Sequence, residues 1–142
     1  MISSKSLVLD ANILLRTVLG SRVPELLNAY KDSTSFVTPD LCFVEARRNL
    51  AGILQRHQRD TALLTTALDK LAFLVPAIDV DLYGLHEEAA RARIYQRDVP
   101  DWPVVATALL LNCPVWTEDH DFFGSGLATW TTNNVEIYLK AS

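Results

Sequence analysis

The chain has 142 residues, of which 49% are hydrophobic and 21% charged, and a formal net charge of −4. That length suits one compact domain with its own core, and that composition excludes intrinsic disorder. The negative charge excludes a broadly basic nucleic-acid footprint, so any contact with nucleic acid needs a local basic patch or a bridging metal.

In chain order, Leu7–Val8–Leu9 is a short apolar run closed by Asp10, the pattern of a strand buried on both faces of a parallel sheet. Ala11–Leu19 reads as a helix ended by Gly20. Pro24 sits just inside the next helix, which reaches about Tyr30. Ser35–Phe36–Val37 predicts a second strand. Thr38-Pro39 reads as a helix start, Thr as N-cap and Pro at the first helical position, of a helix running to about Gln55. Asp60 opens another, with Leu64, Ala67, Leu68, Leu71 and Leu74 at the spacing of one helical face. Phe73–Val75 predicts a third strand before Pro76. A helix from Asp81 to about Tyr95 follows, with Leu82, Leu85, Ala89 and Ala92 on one side. Pro103–Leu111 is apolar almost all round and so reads as a buried helix, with Asp101 in the capping place and Asn112 as its stop. Pro114–Trp116 and Ala128–Thr131 predict the last two strands, and a short helix starts at Asn134.

Short strands alternating with helices imply an α/β layered fold with a mainly parallel sheet, in a single domain spanning residues 1–142. No window approaches the roughly 18 apolar residues of a membrane span, and Asp10 cuts the first apolar stretch too short for a secretion signal. A soluble, cytoplasmic protein is expected. Cys42 and Cys113 form no C-x-x-C pair and read as small buried residues in a reducing compartment.

The acidic residues carry the chemistry. Ligands of open parallel sheets bind at the carboxyl ends of strands. Asp10 stands at such an end, and Asp119 follows the fourth strand closely. Asp10 is equally readable as a helix N-cap. Glu45 lies one turn into the third helix among apolar neighbours and shares a face with Leu41. A carboxylate there needs a partner, which Arg47 or Arg48 could supply. Asp98 and Asp101 flank the turn RDVPDWP, Asp101 with a capping reading of its own. If Asp10, Glu45, Asp101 and Asp119 converge, their mutual repulsion calls for a divalent cation. All-oxygen ligation selects magnesium, manganese or calcium over zinc, and His57, His86 and His120 show no zinc spacing and read as surface residues. In the stretch WTEDHDFFG, Glu118 and His120 are expected to face solvent, and Phe122 and Phe123 to anchor the loop in the core.

LVLDANILL, Glu45 in PDLCFVEARRNL, RDVPDWPVVATALLLNCPVWTEDHDF and the closing TW together resemble the PIN-domain ribonucleases, most closely bacterial VapC-like toxins. The resemblance spans essentially the whole chain. It implies a three-layer α/β/α fold with a five-stranded sheet of order 3-2-1-4-5. It implies hydrolysis of RNA phosphodiester bonds with Mg²⁺ or Mn²⁺. Residue by residue, Asp10, Glu45, Asp101 and Asp119 match the family's acids as metal-binding and catalytic positions. Asp121 matches an acid that some members carry, and Asp98 offers an alternative to Asp101. Asn12 and Thr117 match polar positions that order the site. A small antitoxin partner and a homodimer are implied by the resemblance as well. The helices in 41–54 and 62–75 offer apolar surface for a partner, or simply for the core.

Arg16, Arg47, Arg48, Arg91, Arg93 and Arg97 are candidates to meet RNA phosphates, Arg47 and Arg48 foremost because they follow Glu45. Three other readings fit less well. A haloacid-dehalogenase-like phosphatase needs an Asp where Asn12 stands. A signalling receiver needs an early acidic pair. A Rossmann dehydrogenase needs a G-x-G-x-x-G that five glycines do not form. A PIN scaffold that binds without cleaving is the non-enzymatic alternative.

Overall fold

The structure is a computed structural model and describes residues 5–57, 61–94 and 101–141. Five strands form one sheet in the order β3-β2-β1-β4-β5: β1 Lys5–Leu9, β2 Thr34–Pro39, β3 Ala77–Ile78, β4 Val115–Trp116 and β5 Thr129–Trp130. Every pairing is parallel, with Val8 opposite Val37 on one side and Val115 on the other. The expected α/β fold and strand order are thus observed. Leu7, Val8 and Leu9 are wholly buried, as a central parallel strand covered on both faces requires.

The helices are α1 Ala11–Leu19, α2 Arg22–Tyr30, α3 Asp40–His57, α4 Thr61–Leu71, α5 Val80–Tyr83, α6 Glu87–Ile94, α7 Trp102–Leu111 and α8 Val135–Lys140. The connections β1 to β2 and β2 to β3 step one way along the sheet, and β3 to β4 steps back. Right-handed crossovers therefore put α1–α4 on one face and α5–α7 on the other. In agreement, α1 packs on α3 and α4, while α7 packs across β1, β2 and β4 beside α5 and α6. The direction reverses between β1 and β4, the kind of place where open α/β sheets bind ligands, outside the carboxyl ends of the strands.

The expected helix start at Thr38-Pro39 is corrected: both residues belong to β2, paired with Ala77 and Ile78. The Thr38 hydroxyl is buried and donates to the Leu9 carbonyl at 2.7 Å, so it tethers β2 to β1. The third strand is not Phe73–Val75 but Ala77–Ile78. The N–H groups of Leu74 and Val75 turn back to the Leu71 carbonyl at 3.0 and 2.8 Å, closing the end of α4, and Phe73 is 91% exposed. On α4, Leu68 and Leu71 are buried and Leu64 half-buried, but Ala67 faces solvent. Asp60 lies outside the described residues.

The helix expected from Asp81 to Tyr95 is two helices, α5 and α6, separated by a 3₁₀ turn at Gly84–His86. The turn rotates the buried face onto Tyr83, Ala90 and Ile94. Leu82, Leu85, Ala89 and Ala92 are exposed, Leu85 by 80%. The apolar helix α7 is buried as expected from Trp102 to Ala108. Asn112 stops it in the left-handed region at φ 51°, a conformation Asn tolerates. No helix among the described residues is long and apolar enough to cross a membrane.

Candidate active site

Asp10 ends β1 and caps α1, so both readings of it hold. Its Oδ1 accepts from the Ala11 N–H at 2.7 Å, which satisfies one open donor of the helix. Its Oδ2 accepts from the Thr117 hydroxyl at 2.8 Å and the Asn12 amide at 3.1 Å. Thr117 follows β4 and is wholly buried. Having donated its proton to Asp10, its oxygen accepts from the Asp119 N–H at 2.9 Å and Asn12 Nδ2 at 3.3 Å. Asn12 Oδ1 in turn accepts from the Glu118 N–H at 3.3 Å. Asn12 and Thr117 thus join the loop after β4 to the end of β1.

Above Asp10 lies a cleft of about 200 Å³. Asp10 and Cys42 line its floor. Leu41, Val44, Glu45 and Arg48 of α3 line one wall, and Asp101, Pro103 and Val104 the other. Three of the four matched acids therefore face one space. Asp119 does not line it, but lies close enough that its charge acts on Asp10. Burial drives the Asp10 carboxyl up from 3.8 to about 6. The Thr117 hydroxyl and the Ala11 N–H pull it down, and the negative charges of Glu45 and Asp119 push it up. A cation in the cleft would reverse that pressure.

Among the described residues, no three His, Cys, Asp or Glu side chains converge tightly enough to cage a metal ion on their own. A magnesium-like ion keeps several waters and takes only one or two carboxylates directly. The oxygen donors of Asp10, Glu45 and Asp101 fit such an ion.

Asp101 occupies the N-cap position of α7 but makes no capping hydrogen bond, and its Oδ2 is buried. Its expected capping role is therefore not observed. Arg48 lines the cleft. Arg47 pairs with Asp69 at 3.0 Å and lies over the Phe43 ring, so it is not the partner of Glu45. Arg16 is exposed on α1 and is not among the cleft residues. Arg91 pairs with Glu87, and Arg93 donates to the Ser125 carbonyl at 2.9 Å. Asp98 and Arg97 lie outside the described residues, as does the side chain of Asp121.

Glu118 corrects its expected place in solvent. It is half-buried, and its Oε1 accepts from the Thr132 N–H at 2.8 Å and from the Thr132 hydroxyl. Phe122 anchors the loop in the core, whereas Phe123 is exposed and packs on the exposed His120. His86 is half-buried. Cys42 is buried as expected, yet it also lines the cleft. The available signal was its position one helical turn before Glu45, on the same face.

A family model described as PIN domain matches residues 8–140. No functionally curated protein matches the chain in sequence. Several solved structures share its fold. VapBC2 from Rickettsia felis, bound to a DNA fragment from its promoter, has a chain similar at TM-score 0.69 and 12% identity, covering 89% of this chain and 98% of that one. PAE2754 from Pyrobaculum aerophilum is similar at TM-score 0.74 and 14% identity, covering 98% and 92%. A toxin-antitoxin complex from Klebsiella pneumoniae contains a chain similar at TM-score 0.63 and 20% identity, covering 88% and 96%.

Proposed function

The chain belongs to the PIN-domain family, and from that premise we propose that it is a Mg²⁺- or Mn²⁺-dependent ribonuclease, the toxin of a type II toxin-antitoxin pair. One observation carries the proposal: Asp10, Glu45 and Asp101 face a single cleft at the carboxyl ends of the strands, with the charge of Asp119 acting on Asp10. Carboxylates that repel one another in a partly buried cleft suit a site built for a cation.

Asp10 and Asp101 would hold the ion directly. Glu45 and Asp119 would bind it directly or through water, or take a proton as general base. When bound, the ion would supply an acidified water as nucleophile and offset charge on the phosphate and the leaving oxygen. Thr117 and Asn12 would orient Asp10 through the hydrogen bonds they donate to its Oδ2. Arg48, on the wall beside Glu45, would meet the RNA backbone. The names of the Rickettsia and Klebsiella structures support a small antitoxin as partner. The exposed Leu82 of α5 and Leu85 of the turn that follows it would suit that partner or a second copy. The cytoplasm, where RNA is at hand, is the compartment that fits.

The test replaces Asp10 and Asp101 singly by Asn and measures RNA cleavage with Mg²⁺ or Mn²⁺. A loss of 10²-fold or more is expected, on the order of what removing a charge-stabilising group costs. Unchanged rates in folded variants would overturn the assignment. Absence of cleavage by wild type across varied RNAs would instead favour a PIN scaffold that only binds.

A further inference from the structure

The two walls of the cleft come from helices on opposite faces of the sheet, and the space between them has to be set by something. Glu45 and Arg48 ride on α3, whose first residue is Asp40. Asp101 immediately precedes α7, whose first residue is Trp102. Asp40 and Trp102 are bridged by one side chain, Tyr83 of α5. The Tyr83 hydroxyl donates to Asp40 Oδ1 at 2.6 Å. Asp40 Oδ1 also accepts from the Leu41 N–H at 2.8 Å, and Oδ2 from the Val80 N–H at 3.2 Å. The Tyr83 ring, wholly buried, packs on the Trp102 ring at 5.6 Å between centroids. The Arg91 guanidinium lies 5.2 Å from the same Trp102 ring and is itself held by Glu87 at 2.8 Å. A hydrogen bond and a ring contact thus run from the start of α3 to the start of α7, without touching the cleft.

We propose that Tyr83 is a positioning residue that fixes the spacing of Glu45 and Asp101 across the cleft, and thereby the affinity of the site for a divalent cation. This rests on the reading of the cleft as a cation site. Burial and the neighbouring Asp40 carboxylate both hold the Tyr83 proton in place, so its hydroxyl is a dependable donor. Geometry beyond the ligands sets metal affinity, because ligands that drift by fractions of an ångström lose pre-organisation.

The experiment titrates Mn²⁺ into the metal-free protein by calorimetry, which reads binding without catalysis. Tyr83→Phe keeps the ring and removes only the hydroxyl. Tyr30→Phe is the control: it removes a comparable bond, Tyr30 to Glu136 at 2.6 Å, between α2 and α8. Tyr83→Phe is expected to raise the Kd for Mn²⁺ roughly three- to tenfold, at or below the lower end of what outer partners of metal ligands control, with Tyr30→Phe unchanged. Should Tyr83→Phe fail to fold, Asp40→Ala removes that bond together with those from the Leu41 and Val80 N–H groups and is expected to weaken binding at least as much. Wild-type affinity in a folded Tyr83→Phe or Asp40→Ala overturns the proposal. So does equal weakening in Tyr30→Phe, which would mark general loosening. No Mn²⁺ binding by wild type would overturn the reading of the cleft itself.

Discussion

Asp10 offers an unusual prediction, that removing its charge makes the metal-free protein more stable. Its carboxyl rises from 3.8 to about 6 on folding, chiefly through burial. Between those values the folded state holds a proton that the unfolded state has lost, so stability falls as pH rises through that window. Below pH 3.8 the group is neutral in both states and costs nothing. Above pH 6 the full cost applies. Roughly two pH units at 1.36 kcal/mol each is about 3 kcal/mol, with no discount for solvent because Asp10 is only 5% exposed. Asp10→Asn keeps the acceptor for the Ala11 N–H and the side-chain shape. Its new amide faces the Asn12 amide and the Thr117 hydroxyl, which takes back part of the gain. A domain of this size shifts about 3 °C per kcal/mol. Thermal melts with a chelator at pH 8 should therefore place the variant roughly 3–9 °C above wild type, and at pH 4.5 little or no higher. Saturating Mn²⁺ should stabilise wild type by about 2.7 kcal/mol at one hundred times Kd and close the gap. A variant no more stable than wild type at pH 8, or equally stabilised at both pH values, would refute the reasoning.

Three other perturbations have equally definite outcomes. Thr117→Val leaves Asp10 Oδ2 one donor short and the Asp119 N–H without its acceptor. Urea titration should show a loss of roughly 1–3 kcal/mol, and Mn²⁺ affinity should fall about tenfold or more. Arg48→Ala should raise the KM for RNA and lower the slope of log affinity against log salt by about one. Arg47→Ala, whose charge Asp69 already engages, should do much less. Gly126→Ala should cost about 1–2 kcal/mol by denaturant titration for its left-handed backbone alone, since φ is +85°. A Cβ there would also lie 2.4 Å from Arg93 Nη1. Adding Arg93→Ala should recover the contact part of the loss and not the backbone part.

Much of this fold was legible from periodicity, since β1, α1 and α7 are each too apolar or too regularly punctuated to read otherwise. Thr38-Pro39 misled because a strand end and a helix start want the same residues. The choice between them was made by the Leu9 carbonyl, a partner far away in sequence. Leu82, Leu85, Ala89 and Ala92 share a face by spacing, but spacing reports a face without saying what covers it. The turn at Gly84–His86 then gave the interior to Tyr83, Ala90 and Ile94. The cleft was legible in its acids only as a set, since Asp10 alone reads equally well as the N-cap it also is. Its supports were not. The bridge from Asp40 through Tyr83 to Trp102 joins three helices, and nothing local in the chain marks those residues as neighbours.

Glu118 has a consequence for the far end of the chain. Its carboxylate grips Thr132, just past β5, and the Thr132 hydroxyl also accepts from Trp116 Nε1 at 3.1 Å. The segment from Thr129 to Lys140 thus acts as a brace on the loop that carries Asp119. A chain cut before Thr129 would keep every acid of the site and lose the brace. Asp119 would then sample a range of positions around Asp10. Such a cut also removes β5, the last strand of the sheet, so the acidic loop and the sheet edge beside β4 are expected to loosen together.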